Sequence, residues 1–416
     1  MRATLAAWSS SAPSGPLICA PPCAEEADLT PIRFIALALL LAVSACTGVR
    51  SFPAPPAALA DEVNPPGFSD IRFYGLGDDV EIRPEVDKVL SQIRARIARE
   101  GRKPNGGVWD ALVLSGGGPD GAFGAGLLNG WTREGSRPEF GLVTGISTGA
   151  LIAPFAFLGP DYDDALRRFY TQTNTSALVD FAIIKGIFGA AGLTDTTPIR
   201  SLLRREVTPG FVARLAEEHA KGRRLWVGTT NIDAQRPVIW DLGAIASSGR
   251  GDAPELIREV MLASASIPAA FPPVMFLVEA GGTRFTEMHV DGGVTRQLFF
   301  FPLGAPIRRD ISLDQRLLRR GTVYVIRNSK LRPEYEETPS GIVQIAQRSV
   351  STLIKSGGIN DIAVLEAQAA EGGLDVKKIA VPDGFAAPSE ELFDIGYMTA
   401  LYETGERLGL EGIPWD

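Results

Sequence analysis

The chain twice places an apolar run, a glycine-rich turn and a second apolar run in immediate succession. The first unit begins at 109–115, a continuous apolar run that is typical of a strand buried on both faces of a parallel sheet. After its glycines, residues 122–131 are predicted to form a helix. The second unit predicts a strand at 140–144 and an apolar helix at 150–158. This alternation predicts a right-handed crossover, and therefore an α/β fold with a parallel sheet.

Further elements extend this architecture toward the carboxyl terminus. Strands are predicted at 224–230, 284–290 and 321–327, and helices from residue 341 onward, including 392–408. No internal repeat and no linker divides the chain after Leu112. We therefore expect one large domain, since single α/β domains often reach roughly 200 to 300 residues.

The composition argues against several classes of protein and site. Hydrophobic residues make up 45% and charged residues 22% of the chain, as in ordinary globular proteins. The formal net charge of -8 argues against the basic surface that nucleic-acid binding requires, so no nucleic-acid partner is predicted. The 3 cysteines lie at positions 19, 23 and 46, and the 2 histidines are His219 and His289. No metal site and no cofactor are therefore expected beyond Cys46.

The amino-terminal segment resembles the export signal of a bacterial lipoprotein. Arg33 precedes an apolar run at 34–42, which is too short to cross a bilayer because a spanning helix needs about 20 apolar residues. Val-Ser-Ala-Cys follows and resembles a lipobox, whose cysteine becomes the lipidated first residue of the mature protein. The resemblance implies a signal peptide over 1–46 and a lipid anchor on Cys46 that holds the protein at a membrane surface.

Two alternatives remain for this segment: an ordinary soluble secretion signal, or a buried helix that contains a cysteine by chance. The stretch before Arg33 includes Glu25, Glu26 and Asp28, whereas a signal peptide starts with a short basic region. Translation is therefore predicted to begin later than Met1.

The residues after Cys46 predict how the domain is attached. Residues 47–70 are rich in proline and alanine and are predicted to be an extended tether, with the folded domain at 71–416. Thr47, in place of aspartate, is similar to lipoproteins that are sent to the outer membrane. The expected location is the bacterial cell envelope, at the outer membrane.

The turn after the second strand is a candidate nucleophile site. Gly145, Ser147 and Gly149 fit the pattern G-x-S-x-G, in which a serine is held on a tight turn between a strand and a helix. Such a turn exposes the hydroxyl at the helix amino terminus, where backbone N–H groups favour developing negative charge. The alternative is a turn in which Ser147 only caps the following helix.

The turn after the first strand is a candidate oxyanion hole. Gly116, Gly117 and Gly118 leave backbone N–H groups unobstructed, and Gly121 follows at the start of the predicted helix. These glycines also satisfy the dinucleotide pattern G-x-G-x-x-G, but that reading requires an acidic residue after the second strand, where this chain has Ser147. A plain tight turn is the other alternative.

A candidate base lies at the end of the strand predicted at 284–290. Asp291 is followed by Gly292 and Gly293, which keep bulky side chains away from its carboxylate. An exposed aspartate is a weak base, but partial burial raises its pKa above the usual value of about 3.9. An ordinary turn aspartate is the alternative.

In this order the three motifs resemble the patatin-like phospholipase family, over residues 110–297. The resemblance implies a three-layer α/β/α fold with a mainly parallel central sheet and a carboxyl-terminal helical extension. It also implies hydrolysis of acyl esters in lipids or phospholipids by a Ser147–Asp291 dyad without histidine. The oxyanion donors would be Gly116, Gly117, Gly118 and Thr148. The segment 263–268 resembles the part of the family that precedes the aspartate, and it is expected to act as scaffold.

Three residues need separate interpretation. The family usually carries arginine or lysine where this chain has Asp120, in the oxyanion loop. His219 lies in a charged stretch and is predicted to be a solvated helix residue. Strand alternation places His289 on the same face as Asp291, where it either tunes the carboxylate or is purely structural.

A second class of function stays open. A non-catalytic envelope lipoprotein could keep the same fold as a binding module. The sequence predicts no oligomeric state.

Overall fold

The computed structural model describes residues 50–74, 110–172, 196–268, 270–300, 321–335, 337–389 and 393–416, with single helical positions between 88 and 98. The strands are β1 Arg72–Tyr74, β2 Ala111–Leu114, β3 Leu142–Ile146, β4 Arg224–Asn231, β5 Arg236–Asp241, β6 Val274–Ala280, β7 Thr283–Asp291, β8 Thr322–Arg327 and β9 Asp375–Ala380. The helices are α1 Gly121–Glu134, α2 Thr148–Leu158, α3 Asp163–Thr171, α4 Thr197–Glu206, α5 Pro209–Ala220, α6 Leu242–Ser247, α7 Ala253–Ser264, α8 Ile342–Gly372 and α9 Ile395–Glu411.

The strands form one sheet in the order β1-β5-β4-β3-β2-β8-β9. Neighbours from β4 to β9 in this order pair in parallel, whereas β5 and β1 add antiparallel strands at one edge. The hairpin of β6 and β7 joins through an antiparallel pairing of β7 with β4. The prediction of an α/β fold with a mainly parallel central sheet is confirmed.

Both faces of the sheet are covered, which explains the continuous apolar character of its strands. In β2, Leu112 and Leu114 pack into the larger core with α1, α2, α7 and α9. Ala111 and Val113 point to the opposite face and pack in a second core with residues of α8. This alternation with a period of two produces three layers, helices on each side of one sheet.

The segment predicted as an extended tether is folded where the structure describes it. Val63 and Ile71 are each only 2% exposed, and Asn64 pairs with Glu279 of β6. The packed unit spans Ser51–Asp416, so the tether prediction is corrected for 51–70. Apolar side chains among the prolines explain the difference, because they bury against the sheet. Cys46 and the predicted signal peptide lie outside the described residues.

Candidate active site

The candidate nucleophile and base meet because two strands end at adjacent positions along β4. Strand β3 pairs with the first half of β4, and its last residue, Ile146, lies opposite Gly228. Strand β7 pairs with the second half of β4 and runs toward β3, so that Asp291 lies opposite Thr229. Ser147 follows Ile146 directly. The sheet therefore brings together two residues that are far apart in the chain.

Ser147 occupies a strained turn between β3 and α2. Its backbone angles are φ 55° and ψ -125°, a region that costs a non-glycine residue about 1–3 kcal/mol. The turn requires small neighbours: a Cβ on Gly149 would lie 2.4 Å from the Leu114 carbonyl oxygen, and a Cβ on Gly145 would lie 2.4 Å from the Gly149 carbonyl oxygen. These contacts explain the glycines of the G-x-S-x-G pattern.

The segment 263–268 holds the backbones of both candidate residues. The N–H of Ser147 donates to Ser264 Oγ at 2.9 Å, and Ser264 Oγ donates to the Gly228 carbonyl oxygen at 2.6 Å. The N–H of Asp291 donates to the carbonyl oxygen of Ser266 at 2.9 Å. The segment therefore acts as the scaffold that the sequence predicts.

The Asp291 carboxyl group is buried, and burial raises its pKa to about 7. Hydrogen bonding from the Ser147 side chain and from the N–H of Gly293 opposes this rise without cancelling it. Gly293 N donates to Oδ1 at 2.7 Å, whereas Oδ2 has no well-aligned hydrogen-bond partner among the described residues. The Ser147 hydroxyl thus lies near a carboxylate that has spare acceptor capacity.

The glycine loop lies beside Ser147 and presents free backbone donors. Within the described part of the chain, the N–H groups of Gly117, Gly118 and Thr148 donate to no other protein group. The N–H of Gly116 donates to the Gln297 carbonyl oxygen at 3.0 Å. This corrects the prediction for Gly116, which shapes the loop but does not supply a donor, because its N–H is already used.

An apolar pocket opens beside these donors. Ser147, Thr148 and Gly118 form its polar end. Its remaining walls include six apolar side chains, namely Leu151, Phe169, Ile199, Phe271, Phe393 and Met398. A pocket of this kind suits an aliphatic chain whose polar end meets the serine.

Comparison with known proteins assigns the domain. Residues 112–303 match the family model described as patatin-like phospholipase. The chain contains a patatin-like phospholipase domain. The family indicates lipid acyl hydrolase activity in general. Among solved structures, VipD from Legionella pneumophila aligns over 73% of this chain and 67% of its own, with 14% identity and a TM-score of 0.37. No curated protein matches the chain.

Asn328 supports the glycine loop of the patatin-like domain, and sequence reasoning missed it. This fully buried residue follows β8, and its amide donates to the Ser115 carbonyl oxygen at 2.9 Å and accepts from the N–H of Gly124 at 3.2 Å. A Cβ on Gly117 would lie 1.7 Å from the Asn328 carbonyl oxygen. A polar residue directly after an apolar strand was the available signal.

Gln297 is a second residue of the patatin-like site that the sequence motifs did not reveal. The Cβ position of Gly116 lies 2.6 Å from Gln297 Oε1 and 3.1 Å from Ser147 Cβ. The Cβ position of Gly293 lies 2.9 Å from Gln297 Nε2 and the same distance from Asp291 Oδ1. The Gln297 amide therefore lies between the glycine loop 116–118 and the turn that follows Asp291.

His289 belongs to a buried hydrogen-bond network that does not include Asp291. His289 Nε2 donates to Glu287 Oε2 at 3.3 Å, because an ionised carboxylate can only accept. Nδ1 of the neutral ring therefore accepts from the Thr229 hydroxyl at 2.8 Å, and the same hydroxyl accepts from Trp240 Nε1 at 2.9 Å. Burial lowers the pKa of His289, which favours the neutral ring. Asp291 has no part in this network, so the structural alternative holds.

The prediction that His219 is solvated is wrong. Its side chain is buried beneath α6, with Nδ1 3.5 Å from Asp241 Oδ1. A Cβ on Gly243 would lie 2.5 Å from His219 Nδ1, so the glycine allows α6 to approach the ring. The polar residues around His219 in the sequence concealed this contact.

Proposed function

We propose that the protein is a serine acyl-ester hydrolase of the phospholipase A or lysophospholipase type, acting through Ser147 and Asp291. One observation carries the proposal: Ser147, on its strained turn, and the buried Asp291 carboxyl, with its pKa raised to about 7, lie at adjacent strand ends along β4. A base with a pKa near 7 is well matched to proton transfer at neutral pH.

Acylation begins when Asp291 accepts the proton of the Ser147 hydroxyl. The Ser147 oxygen then attacks the ester carbonyl carbon, and the carbonyl oxygen becomes an oxyanion. The N–H groups of Gly117, Gly118 and Thr148 donate to that oxygen, because they have no other acceptor among the described residues. As the intermediate collapses, the departing alcohol takes the proton from Asp291, leaving an acyl-enzyme.

Deacylation repeats these transfers with water. Asp291 accepts a proton from a water molecule, and the resulting hydroxide attacks the acyl carbonyl carbon. The same backbone donors stabilise the second oxyanion. Ser147 leaves with the proton held by Asp291, and the free fatty acid is released. Protein groups and water supply every atom and proton in this sequence.

The apolar pocket supports a lipid acyl chain as the substrate group. Its walls are formed by aliphatic and aromatic side chains, while its polar end carries Ser147 and the loop donors. A fatty-acyl chain in this pocket would place its ester carbonyl at the serine. Burial of each methylene contributes about 0.8 kcal/mol, so the pocket favours acyl groups longer than acetyl.

The proposal is tested by trapping the nucleophile and by supplying lipid. Incubation with a fluorophosphonate is expected to label Ser147, as read by peptide mass spectrometry. Vesicles of phosphatidylglycerol and phosphatidylethanolamine are expected to release free fatty acid. Labelling of a different serine would count against the proposed enzyme. A protein that releases no fatty acid from vesicles and does not hydrolyse short-chain esters would also count against it and would favour the binding module.

Gly117→Ala is expected to lower kcat by about 10²- to 10³-fold, because a displaced loop loses an oxyanion donor. A Cβ at this position would lie 1.7 Å from the Asn328 carbonyl oxygen, so the loop has to move. Gly357→Ala on α8 is the matched control, since its Cβ would meet no heavy atom within 4 Å. The control is expected to gain about 0.5–1 kcal/mol in stability. A Gly117→Ala variant with the wild-type kcat would contradict the assigned donor.

We also propose that Cys46 carries a lipid anchor that holds the protein at the outer membrane. The lipobox-like sequence supports this, and the anchor would keep the enzyme near its substrate surface. In the part of the chain that the structure describes, no helix has the length and apolarity needed to cross a bilayer.

Metabolic labelling with palmitate tests the anchor. Wild-type protein and Cys23→Ala are expected to incorporate label, while Cys46→Ala is expected to lose it and to leave the membrane fraction. Equal labelling of the two alanine variants would show that Cys46 is not the acylated residue.

A further inference from the structure

The pocket beside Ser147 has one wall from outside the matched domain. Most of its walls belong to residues 112–303, but Met398 comes from the first turn of α9 and Phe393 lies two residues before that helix. Met398 is only 1% exposed. The ring centroid of Phe393 lies 6.3 Å from that of Phe271, which also lines the pocket. The pocket is therefore completed by the carboxyl-terminal helix.

Helix α9 is fixed against α1 by direct backbone contact. A Cβ on Gly126 of α1 would lie 2.0 Å from the Tyr402 carbonyl oxygen, and a Cβ on Gly405 of α9 would lie 2.2 Å from the Phe123 carbonyl oxygen. Gly130 and Gly409 make equivalent contacts one turn further along. Glycines on both helices thus bring the axes close together, and α1 begins directly after the oxyanion loop.

A hydrogen bond links the first turn of α9 to the oxyanion loop itself. Tyr397 donates its hydroxyl to Asp120 Oδ1 at 2.7 Å. Asp394 caps the same helix by accepting from the N–H of Tyr397 at 2.9 Å, and the Tyr397 ring packs edge-on against Phe385. An arginine or lysine in place of Asp120 would carry no acceptor and could not receive this hydrogen bond. The Asp120 carboxylate therefore links the loop to α9.

We infer that Phe393 and the first turn of α9 belong to the active site: Met398 and Phe393 limit the length of the bound acyl chain, and Asp120 with Tyr397 positions the oxyanion loop against this wall. The inference rests on the proposed acyl hydrolysis. Met398 and Phe393 are specificity-determining residues, because they face the pocket. Asp120 and Tyr397 are positioning residues, because they act through the backbone donors of the loop.

The chain-length role is tested with p-nitrophenyl butyrate and dodecanoate. Met398→Ala enlarges the pocket, so the ratio of kcat/KM for dodecanoate to that for butyrate is expected to rise about tenfold. Met398→Trp fills the pocket and is expected to lower the same ratio about tenfold. Leu401→Ala is the matched control, since Leu401 is fully buried on α9 but does not line the pocket. Its ratio is expected to stay within about twofold of wild type.

The positioning role is tested with a double-mutant cycle. Tyr397→Phe and Asp120→Ala are each expected to lower kcat for butyrate about tenfold, with less than about a twofold change in KM. The double variant is expected to be no slower than either single variant, because all three lack the same hydrogen bond. Asp120→Asn keeps an acceptor for the Tyr397 hydroxyl and is expected to recover most of the loss.

The outcomes separate this inference from the proposed function. Unchanged chain-length ratios in both Met398 variants, in an enzyme that hydrolyses butyrate, would overturn the role of the wall. Independent effects of Tyr397→Phe and Asp120→Ala that multiply in the double variant would overturn the positioning role. A wild-type protein that neither hydrolyses esters nor reacts with a fluorophosphonate removes the enzyme and this inference together.

Discussion

Ser147→Ala is expected to lower the rate of ester hydrolysis by about 10⁴-fold or more, since the acyl-enzyme forms on the hydroxyl that this change removes. The loss should appear in kcat for both p-nitrophenyl butyrate and phospholipid vesicles. Labelling by the fluorophosphonate should also disappear in this variant. Ser248→Ala is the control, because this exposed hydroxyl at the end of α6 donates to the Ile245 carbonyl oxygen and accepts from the N–H of Arg250, and it does not line the pocket. Equal rates in wild type and Ser147→Ala would eliminate the serine mechanism.

Stability gives a second readout at the same position. Ser147 has φ 55°, which glycine adopts without strain. Ser147→Gly is therefore expected to be more stable than Ser147→Ala by about 1 kcal/mol in denaturant unfolding, although both are inactive. A glycine variant that is less stable than the alanine variant would show that the turn stores no strain.

Asp291→Asn is expected to lower kcat by about 10³-fold, because the amide cannot accept the Ser147 proton. In the wild type, only ionised Asp291 can act as base, so kcat/KM should rise with pH and level off above about 7. Below that pH, the rate should fall by about tenfold per unit. A flat profile between pH 5 and 8, or an asparagine variant with wild-type kcat, would remove Asp291 from this role.

Ionisation of the Asp291 carboxyl group should lower the stability of the fold as pH rises. The pKa of Asp291 is raised in the folded state from 3.8 to about 7, so the folded state holds its proton more tightly than the unfolded state. Stability from this group is complete below about pH 4 and is lost as pH rises to about 7. Asp291→Asn cannot ionise at this position and does not lose this stability. The stability of the variant relative to wild type should therefore be higher at pH 8 than at pH 4.

Asp241→Asn is expected to have the opposite effect on stability at high pH. Burial opposes ionisation of Asp241, but His219, whose Nδ1 lies 3.5 Å from Asp241 Oδ1, and the charge of Arg224 outweigh this effect and lower the pKa of this carboxyl. Its ionised form therefore stabilises the fold above pH 4, and Asp241→Asn should lose stability at pH 8. If both asparagine variants changed stability in the same direction at that pH, the assigned pKa shifts would be wrong.

The sequence predicted the parts of the fold that depend on local pattern. Strands β2, β3, β4, β7 and β8 were found because they are buried on both faces or bounded by glycine. The motifs at Ser147 and Asp291 were visible because a tight turn permits few residue types. Strand β5 was missed because it contains Pro237, and β6 because its outer face is partly exposed.

The remaining parts of the site depend on contacts between distant residues. Nothing near Gln297 or Tyr397 in the sequence indicates that each reaches the oxyanion loop. The hydrogen bond from the Gly116 N–H to the Gln297 carbonyl oxygen likewise cannot be predicted from the sequence. Proline and alanine in 51–70 suggested an open segment, because composition alone does not show where Val63 and Ile71 can bury.

The glycine contacts between α1 and α9 matter for how the protein can be shortened. A fragment that stops at residue 303 would keep every motif of the family match but lose the helix that fills the groove over Gly126 and Gly130. That groove is bare backbone with buried Leu127 and Leu128 beside it, and would be opened to water. Such a fragment would be expected to aggregate in expression trials, so the smallest useful recombinant unit has to retain α9.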